Sequence, residues 1–470
     1  MHKRSGLGII GLATMGQNLA LNASTEGYSV SVYNRSSAKT EDFIKSRAQN
    51  TDIRGISDLK EFVESLNRPR RIILMVKAGD PVDKVLDRLI PLLDRGDVII
   101  EAGNSHYQDT DRRIRRVENH DLLYLGTGVS GGEYGALHGP SIMPGGHLEA
   151  YEQVEPVFEK IAARTDSGPC CTYLGPGSAG HYVKMVHNGI EYGAMEIIAE
   201  IYWLMAKGKD LEPEEMSAAF GRWNESMGSY LLEITADILT REDEKTGRPL
   251  LELILDKAKQ KGTGKWSVQS ALELGIPVPT ITAGVESRLL SALKDSRMAL
   301  NSSLTTPPGA DFEVELDSLY RCLYIALVTS YIQGMSLLSA ASAEQGYGLN
   351  LAEVARIWRG GCIIRSGLLL DLRETLTDGA NPHLLWQKTP FKRRVETFGR
   401  DLRSVVAESA SANLPVPALA SALYYLDSLT SPRLPANMIQ AQRDYFGAHT
   451  YHRVDREGTF HTEWQDIHNV

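Results

Sequence analysis

The stretch Gly6-Leu7-Gly8-Ile9-Ile10-Gly11-Leu12-Ala13-Thr14-Met15-Gly16 constrains this chain more than any other. Taken literally, Gly6, Gly8 and Gly11 form a G-x-G-x-x-G, but that frame spends Leu7, Ile9 and Ile10, the apolar residues a first strand needs, as loop. Shifting the frame to Gly11 through Gly16 keeps the strand. It also sets the glycines at the start of a helix, where free backbone N–H groups and the helix dipole can hold a pyrophosphate. Ala13 stands where a glycine would allow the closest approach. A tight strand-to-helix turn with no ligand would use similar residues, so the surroundings have to decide.

The surroundings are those of a parallel α/β sheet. Short β-rich runs at Leu7–Ile10, Tyr28–Tyr33, Ile72–Val76, Val98–Glu101 and Leu122–Leu125 alternate with amphipathic segments. Asp80 before Pro81 reads as an N-cap with proline at the first helical position. These features predict a Rossmann-type doubly wound domain over residues 1–178. From Gly180 onward helical periodicity takes over, at Tyr182–Lys207, Glu214–Leu239, Val314–Ala343 and Leu351–Leu376, which predicts an all-helical domain over residues 179–435. A weak repeat at an offset of 135 pairs Ile190 with Ile325, Ile197 with Ile332, Ala206 with Ala341 and Trp223 with Trp358, so this domain reads as internally duplicated. Residues 436–470 are polar with little periodicity, an extended tail that either lies on another surface or stays disordered.

Composition narrows the function. With 50 Lys and Arg against 59 Asp and Glu, the net charge of -9 argues against general affinity for nucleic acid or anionic membrane, so an anionic ligand needs a local basic pocket. Apolar stretches are interrupted by charge or glycine short of the roughly 20 residues that a membrane span needs. The glycines at 6, 8 and 11 break the apolar run a secretory signal would require. Cys170, Cys171, Cys322 and Cys362 give neither a disulfide framework nor a metal spacing, so no metal is expected and a cytoplasmic setting fits.

Where NAD enzymes place an acid on the ribose, 23 residues after Gly11, this chain has Asn34-Arg35-Ser36. Arg35 can pair with a 2′-phosphate and stack on adenine while Asn34 and Ser36 donate, which favours NADP over NAD. Lys77-Ala78-Gly79 and Asn104 follow two strands, at the carboxyl ends where open sheets bind ligands. The glycines from Ser130-Gly131-Gly132 through Gly145-Gly146 read as a loop able to bring backbone N–H groups to an anion.

Lys184, His187, Asn188, Glu191 and Tyr192 fall at i, i+3, i+4, i+7 and i+8, the spacing of a buried helical stripe. A polar stripe is commonly just a solvated face. The repeat provides a control: at the same offset Lys184, His187, Asn188 and Glu191 become Leu319, Cys322, Leu323 and Ala326. One copy packs, which leaves chemistry as the reason for the other. The cluster Arg112, Arg113, Arg115 and Arg116 reads as a solvated helix face.

Together with Lys261-Gly262-Thr263-Gly264-Lys265-Trp266 and Gln442-Arg443-Asp444-Tyr445-Phe446-Gly447-Ala448-His449, these motifs resemble the decarboxylating 6-phosphogluconate dehydrogenases of the β-hydroxyacid dehydrogenase superfamily, over essentially the whole chain. The resemblance implies oxidation of a sugar-acid phosphate at carbon 3 with reduction of NADP, then loss of carbon dioxide to give ribulose 5-phosphate, a step of the pentose phosphate pathway. It implies Lys184 as general base and Glu191 as the acid that protonates the enediol. It implies Asn104, Ser130, Gly131, Gly132, His187 and Asn188 around the hydroxyls and carboxylate, and Tyr192, Lys261, Arg288, Arg443 and His449 at the phosphate. The cofactor would lie on Gly11 to Gly16, Asn34 to Ser36, Lys77 to Gly79 and Asn104. It further implies a homodimer whose tails complete each other's sites. Another β-hydroxyacid dehydrogenase and a non-catalytic NADP sensor are the competing expectations.

Overall fold

The computed structural model describes residues 4–260, 262–305, 307–376 and 380–464. In chain order the α/β region holds β1 (Leu7–Ile10), α1 (Thr14–Thr25), β2 (Val30–Tyr33), α2 (Ser37–Ser46), β3 (Ile53–Ile56), α3 (Leu59–Glu64), β4 (Arg71–Leu74) and α4 (Asp80–Leu89). It continues through β5 (Val98–Glu101), α5 (Tyr107–Glu118), β6 (Leu123–Val129), α6 (Gly132–His138), β7 (Ile142–Gly146), α7 (Leu148–Ile161) and a small pair, β8 (Arg164–Thr165) and β9 (Gly168–Pro169). The main sheet runs β3-β2-β1-β4-β5-β6-β7. Its first six strands are parallel and β7 is antiparallel to β6. Reversal of direction at β1 makes the sheet doubly wound, with apolar cores on both faces.

In the α/β region three expectations need correction, and one strand had no reading. The glycines at 145 and 146 belong to strand β7 rather than to an anion-binding loop. Strand β3, Ile53-Arg54-Gly55-Ile56, carries too few apolar residues to announce itself. Asp80 is the first residue of α4 and Gly79 is its cap, at φ +85°. Arg113 is fully buried, because α5 turns Tyr107, Thr110, Arg113, Ile114 and Val117 inward; only its neighbours Arg112 and Arg115 are exposed.

Beyond β9 the chain is helical: α8 (Ala179–Trp203), α9 (Pro213–Met227), α10 (Tyr230–Leu239), α11 (Leu250–Leu253), α12 (Thr263–Glu273), α13 (Pro279–Ala292) and α14 (Lys294–Ser303). Then follow α15 (Leu316–Gln345), α16 (Leu351–Ile357), α17 (Leu368–Thr375), α18 (Phe391–Ser411), α19 (Pro417–Thr430) and α20 (Ala436–Gly447). The expected helix at 214–239 is broken at Gly228, which takes the left-handed conformation after α9, and that at 351–376 is split into α16 and α17. The repeat-related helices α8 and α15 pack on each other, with Gly334 of α15 against Ile190 of α8. Helix α15 is long and apolar enough to cross a membrane, contrary to the reading of its sequence, but 94% of its most apolar window is buried inside the protein.

The chain divides into two compact units, residues 1–422 and 423–470. Up to residue 464 the second is ordered within itself, which corrects the picture of a tail without structure of its own. Buried Asp444 of α20 accepts from Thr450 N, His461 Nδ1, Thr462 N and Trp464 Nε1 at 2.7 to 3.0 Å, tying the returning segment to the helix.

Candidate active site

The frame Gly11 to Gly16 lies where a ligand cradle needs it. Gly11 sits at φ +103°, and a Cβ there would strike the Met75 carbonyl; one on Gly16 would strike the carbonyl of Gly11. No side chain caps the start of α1. The Asn34 amide is committed to bracing this loop, accepting from Leu12 N and donating to the Ser36 carbonyl, both at 3.2 Å. Arg35 and Ser36 are exposed beside it, and the Ser36 hydroxyl makes no capping bond to α2. These residues fit a nucleotide carrying a 2′-phosphate: backbone for the diphosphate, guanidinium and hydroxyl for the added anion.

Lys77, Ala78 and Gly79 leave β4, and Asn104 leaves the neighbouring β5. The two loops touch, since a Cβ on Gly103 would lie 2.8 Å from the Val76 carbonyl oxygen. Lys77 and Asn104 are both exposed there.

Helix α8 crosses the end of β6 and β7 backbone to backbone. A Cβ on Gly180 would strike the carbonyls of Gly126 and Met143, and one on Gly128 would strike the stem of Lys184. The glycines of β6 and β7 therefore allow helix contact, and this places the polar stripe inside the protein: Lys184 is 6% exposed and His187 is 0% exposed. His187 Nε2 lies 3.1 Å from Ser130 Oγ, while its Nδ1 faces Asn188 Oδ1 at 3.1 Å and Lys184 Nζ at 3.3 Å. Asn188 Nδ2 donates to Thr263 Oγ1 at 2.9 Å. An amide oxygen only accepts, so Nδ1 carries the imidazole proton and Nε2 accepts from Ser130. Lys184 then pairs with Nδ1 only as a neutral amine. Burial holds the lysine below its usual range, opposed by the Glu191 carboxylate and the Cys362 thiol. Burial, with Lys184 alongside, holds His187 well below the usual histidine range.

Glu191 lies seven residues along the same helix, about 10 Å of rise from Lys184, and keeps 21% of its side chain exposed with Oε2 at 3.8 Å from His187 Nδ1. Tyr192 packs against Gly264, and the Arg288 guanidinium stacks 3.5 Å from the Tyr192 ring centroid. The first unit thus brings Ser130, Lys184, His187, Asn188, Glu191, Tyr192 and Arg288 to one helix and its neighbours. Gly131 and Gly132 open α6 at φ +109° and +61°. Lys261 lies outside the described residues. Arg443 and His449 belong to the second unit, where Arg443 Nη1 donates to Gln440 Oε1 at 3.1 Å and His449 rests against Phe446.

Three neighbours of the stripe carried no role in the sequence reading. Thr263 holds Asn188, Gly128 makes room for Lys184, and Trp358 meets the His187 ring edge-on at 5.6 Å. Trp358 had surfaced only as a repeat match and Thr263 only within the motif from Lys261 to Trp266, and nothing local marks Gly128.

A doubly wound nucleotide-binding sheet with a buried lysine at its carboxyl edge defines the class, a Rossmann-type dehydrogenase. Residues 6–175 match the NAD binding domain of 6-phosphogluconate dehydrogenase, and residues 180–464 match the C-terminal domain of 6-phosphogluconate dehydrogenase. The chain is 52% identical to the decarboxylating 6-phosphogluconate dehydrogenase of Synechococcus elongatus, over 97% of this chain and 98% of that one. It is 49% identical to the NADP(+)-dependent, decarboxylating enzyme of Bacillus subtilis, with 97% and 98% covered. The Plasmodium falciparum 6-phosphogluconate dehydrogenase, solved in apo form and with NADP+ and 6-phosphogluconate, superposes with a TM-score of 0.93 at 41% identity, covering 98% of this chain and 100% of that one. The chain belongs to the 6-phosphogluconate dehydrogenase family.

Proposed function

We propose that this protein converts 6-phospho-D-gluconate and NADP to D-ribulose 5-phosphate, carbon dioxide and NADPH, a step of the pentose phosphate pathway. The observation that carries the reading is the buried Lys184 amine, held below the usual lysine range and paired with a neutral imidazole.

Residues 11–16, 34–36, 77–79 and 104 hold the cofactor, which when bound supplies the acceptor for the hydride leaving carbon 3. Lys184 takes the proton of the carbon 3 hydroxyl. As an ammonium it then donates to the new carbonyl, which draws electron density from the bond to the departing carboxylate. Glu191 returns a proton to carbon 1 of the enediol. Ser130, Gly131, Gly132, His187, Asn188 and Asn104 orient the hydroxyls and carboxylate, and Tyr192, Lys261 and Arg288 meet the phosphate. Residues 1–178 serve the cofactor and 179–435 the substrate and dimer. Residues 436–470 complete the site of a second copy with Arg443 and His449.

A homodimer is supported by exposed apolar side chains on both units: Leu289, Leu293, Leu300 and Leu304 on the first, Ile439 and Phe446 on the second. Four free, buried cysteines suit a reducing cytoplasm. The test is purified protein with 6-phosphogluconate and NADP, following NADPH and carbon dioxide together. Equal amounts of both products are expected. Turnover only of a short unphosphorylated β-hydroxyacid, or tight NADP binding without turnover, would replace this reading with one of its competitors.

A further inference from the structure

Arg113 is a buried cation that the mechanism above does not use. Its guanidinium has five N–H groups, and they meet five acceptor contacts. Nε donates to Asp83 Oδ1 at 3.1 Å and Nη2 to Asp83 Oδ2 at 2.8 Å. Nη1 donates to Glu101 Oε1 at 2.8 Å and to Ser105 Oγ at 3.2 Å. Nη2 also donates to the Gly79 carbonyl at 3.1 Å. Glu101 is in turn saturated, by the Tyr124 hydroxyl at 2.6 Å and by Ser105 Oγ.

These acceptors are not scattered. Gly79 closes the loop after β4 and caps α4, Asp83 lies in the first turn of α4, Glu101 ends β5, and Ser105 directly follows Asn104. One planar group from α5 therefore holds the loop of Lys77, Ala78 and Gly79 at a set distance from the loop of Asn104. A buried charge is costly unless it is fully paired. Glu101 is as fully buried as Arg113, so each charge depends on the other, and the pairing of one guanidinium to two ligand loops marks a geometric task. Arg112 offers the contrast, since it is half exposed and pairs only with Asp83 and Asp109.

We propose that Arg113 is a positioning residue that fixes the relative placement of the two strand-end loops, and through them the nicotinamide side of the cofactor against the substrate. This rests on the assignment of Lys77 to Gly79 and Asn104 to the ligands. Arg113→Lys keeps the charge but not the fork, so it cannot reach both loops. Ser105→Ala removes one strut and leaves the ion pairs intact.

The test measures NADP dissociation constant, KM for 6-phosphogluconate, kcat and melting temperature for full-length Arg113→Lys, Ser105→Ala, Arg112→Ala, Lys77→Ala and Asn104→Ala. A displaced loop costs about 10- to 100-fold in kcat/KM. That loss is expected in Arg113→Lys, with a smaller one in Ser105→Ala, in protein that still melts cooperatively above the assay temperature; NADP affinity and substrate KM should both worsen. Arg112→Ala should stay within about twofold, as a solvated side chain would. If Arg113→Lys does not fold, Ser105→Ala decides. Wild-type constants in folded Arg113→Lys and Ser105→Ala, while Lys77→Ala and Asn104→Ala weaken binding, would overturn the positioning role alone. Wild-type constants in the two loop variants would overturn the loop assignment and this inference with it.

Discussion

Gly128 of β6 and Lys184 of α8 are in contact through the lysine stem, so that the Cβ which Gly128 lacks would fall on the Cβ and Cγ of Lys184. Lys184, the proposed base, is thus placed by the absence of a side chain on a neighbouring strand. Gly128→Ala should push Lys184 away from His187 while the glycine loop at Gly11 stays as it is. The expected result is a fall in kcat of about 10- to 100-fold, as for a misplaced catalytic group, with NADP affinity unchanged. Steady-state kinetics with a direct cofactor titration checks both halves.

Lys184→Met should abolish oxidation and decarboxylation together, a loss of at least about 10² to 10⁴. It should also stabilise the fold. The lysine is lowered by burial from its ordinary 10.5, so below 10.5 the unfolded chain binds a proton that the folded chain resists. Stability attributable to this group rises with pH toward 10.5, and the penalty is fully present below the folded value. Melting curves should therefore show the variant above wild type at neutral pH, with the gap closing as pH approaches 10.5.

Glu191 pulls against that shift, because its carboxylate favours the charged lysine. In Glu191→Gln the acid limb of the kcat/KM profile should move to lower pH, even as kcat drops by about 10² or more from the missing proton donor. A pH-rate series on the two proteins shows whether the limb moves or stays.

Arg35 is exposed, and its proposed role is to set the cofactor preference. Arg35→Asp removes a charge-assisted contact and adds repulsion toward a 2′-phosphate, while offering NAD ribose an acceptor. The ratio of kcat/KM for NADP to that for NAD should fall by at least about tenfold, since a hydrogen bond to a charged group contributes about 1.5 to 3 kcal/mol. Measuring that ratio in both proteins decides it.

If each site is shared, Lys184→Met and Arg443→Ala chains should be nearly inactive alone yet complement when mixed. Random exchange makes half of the dimers mixed, each with one intact site of two, so activity should recover to roughly a quarter of wild type. Mixing after reversible dissociation, with subunit exchange verified by mass, provides the check; no recovery would place both residues in one chain.

Much of this site is legible without coordinates, and for a definable reason. The frame at Gly11 to Gly16 follows from Leu7, Ile9 and Ile10 being needed as strand, and the polar stripe of α8 stands out by its contrast with Leu319, Cys322, Leu323 and Ala326, all buried in α15. Both are local patterns, and local periodicity reports which residues turn inward. It does not report what they meet there. Gly145 looked like freedom of the backbone and proved, with Gly126 and Gly128 of β6, to be close contact with α8. Arg113 looked like one of four solvated arginines and proved to be buried among Asp83, Glu101 and the Gly79 carbonyl. In each case the deciding partner comes from a distant part of the chain, so a glycine required by packing and a charge satisfied by burial acquire their meaning only when the tertiary structure brings that partner to them.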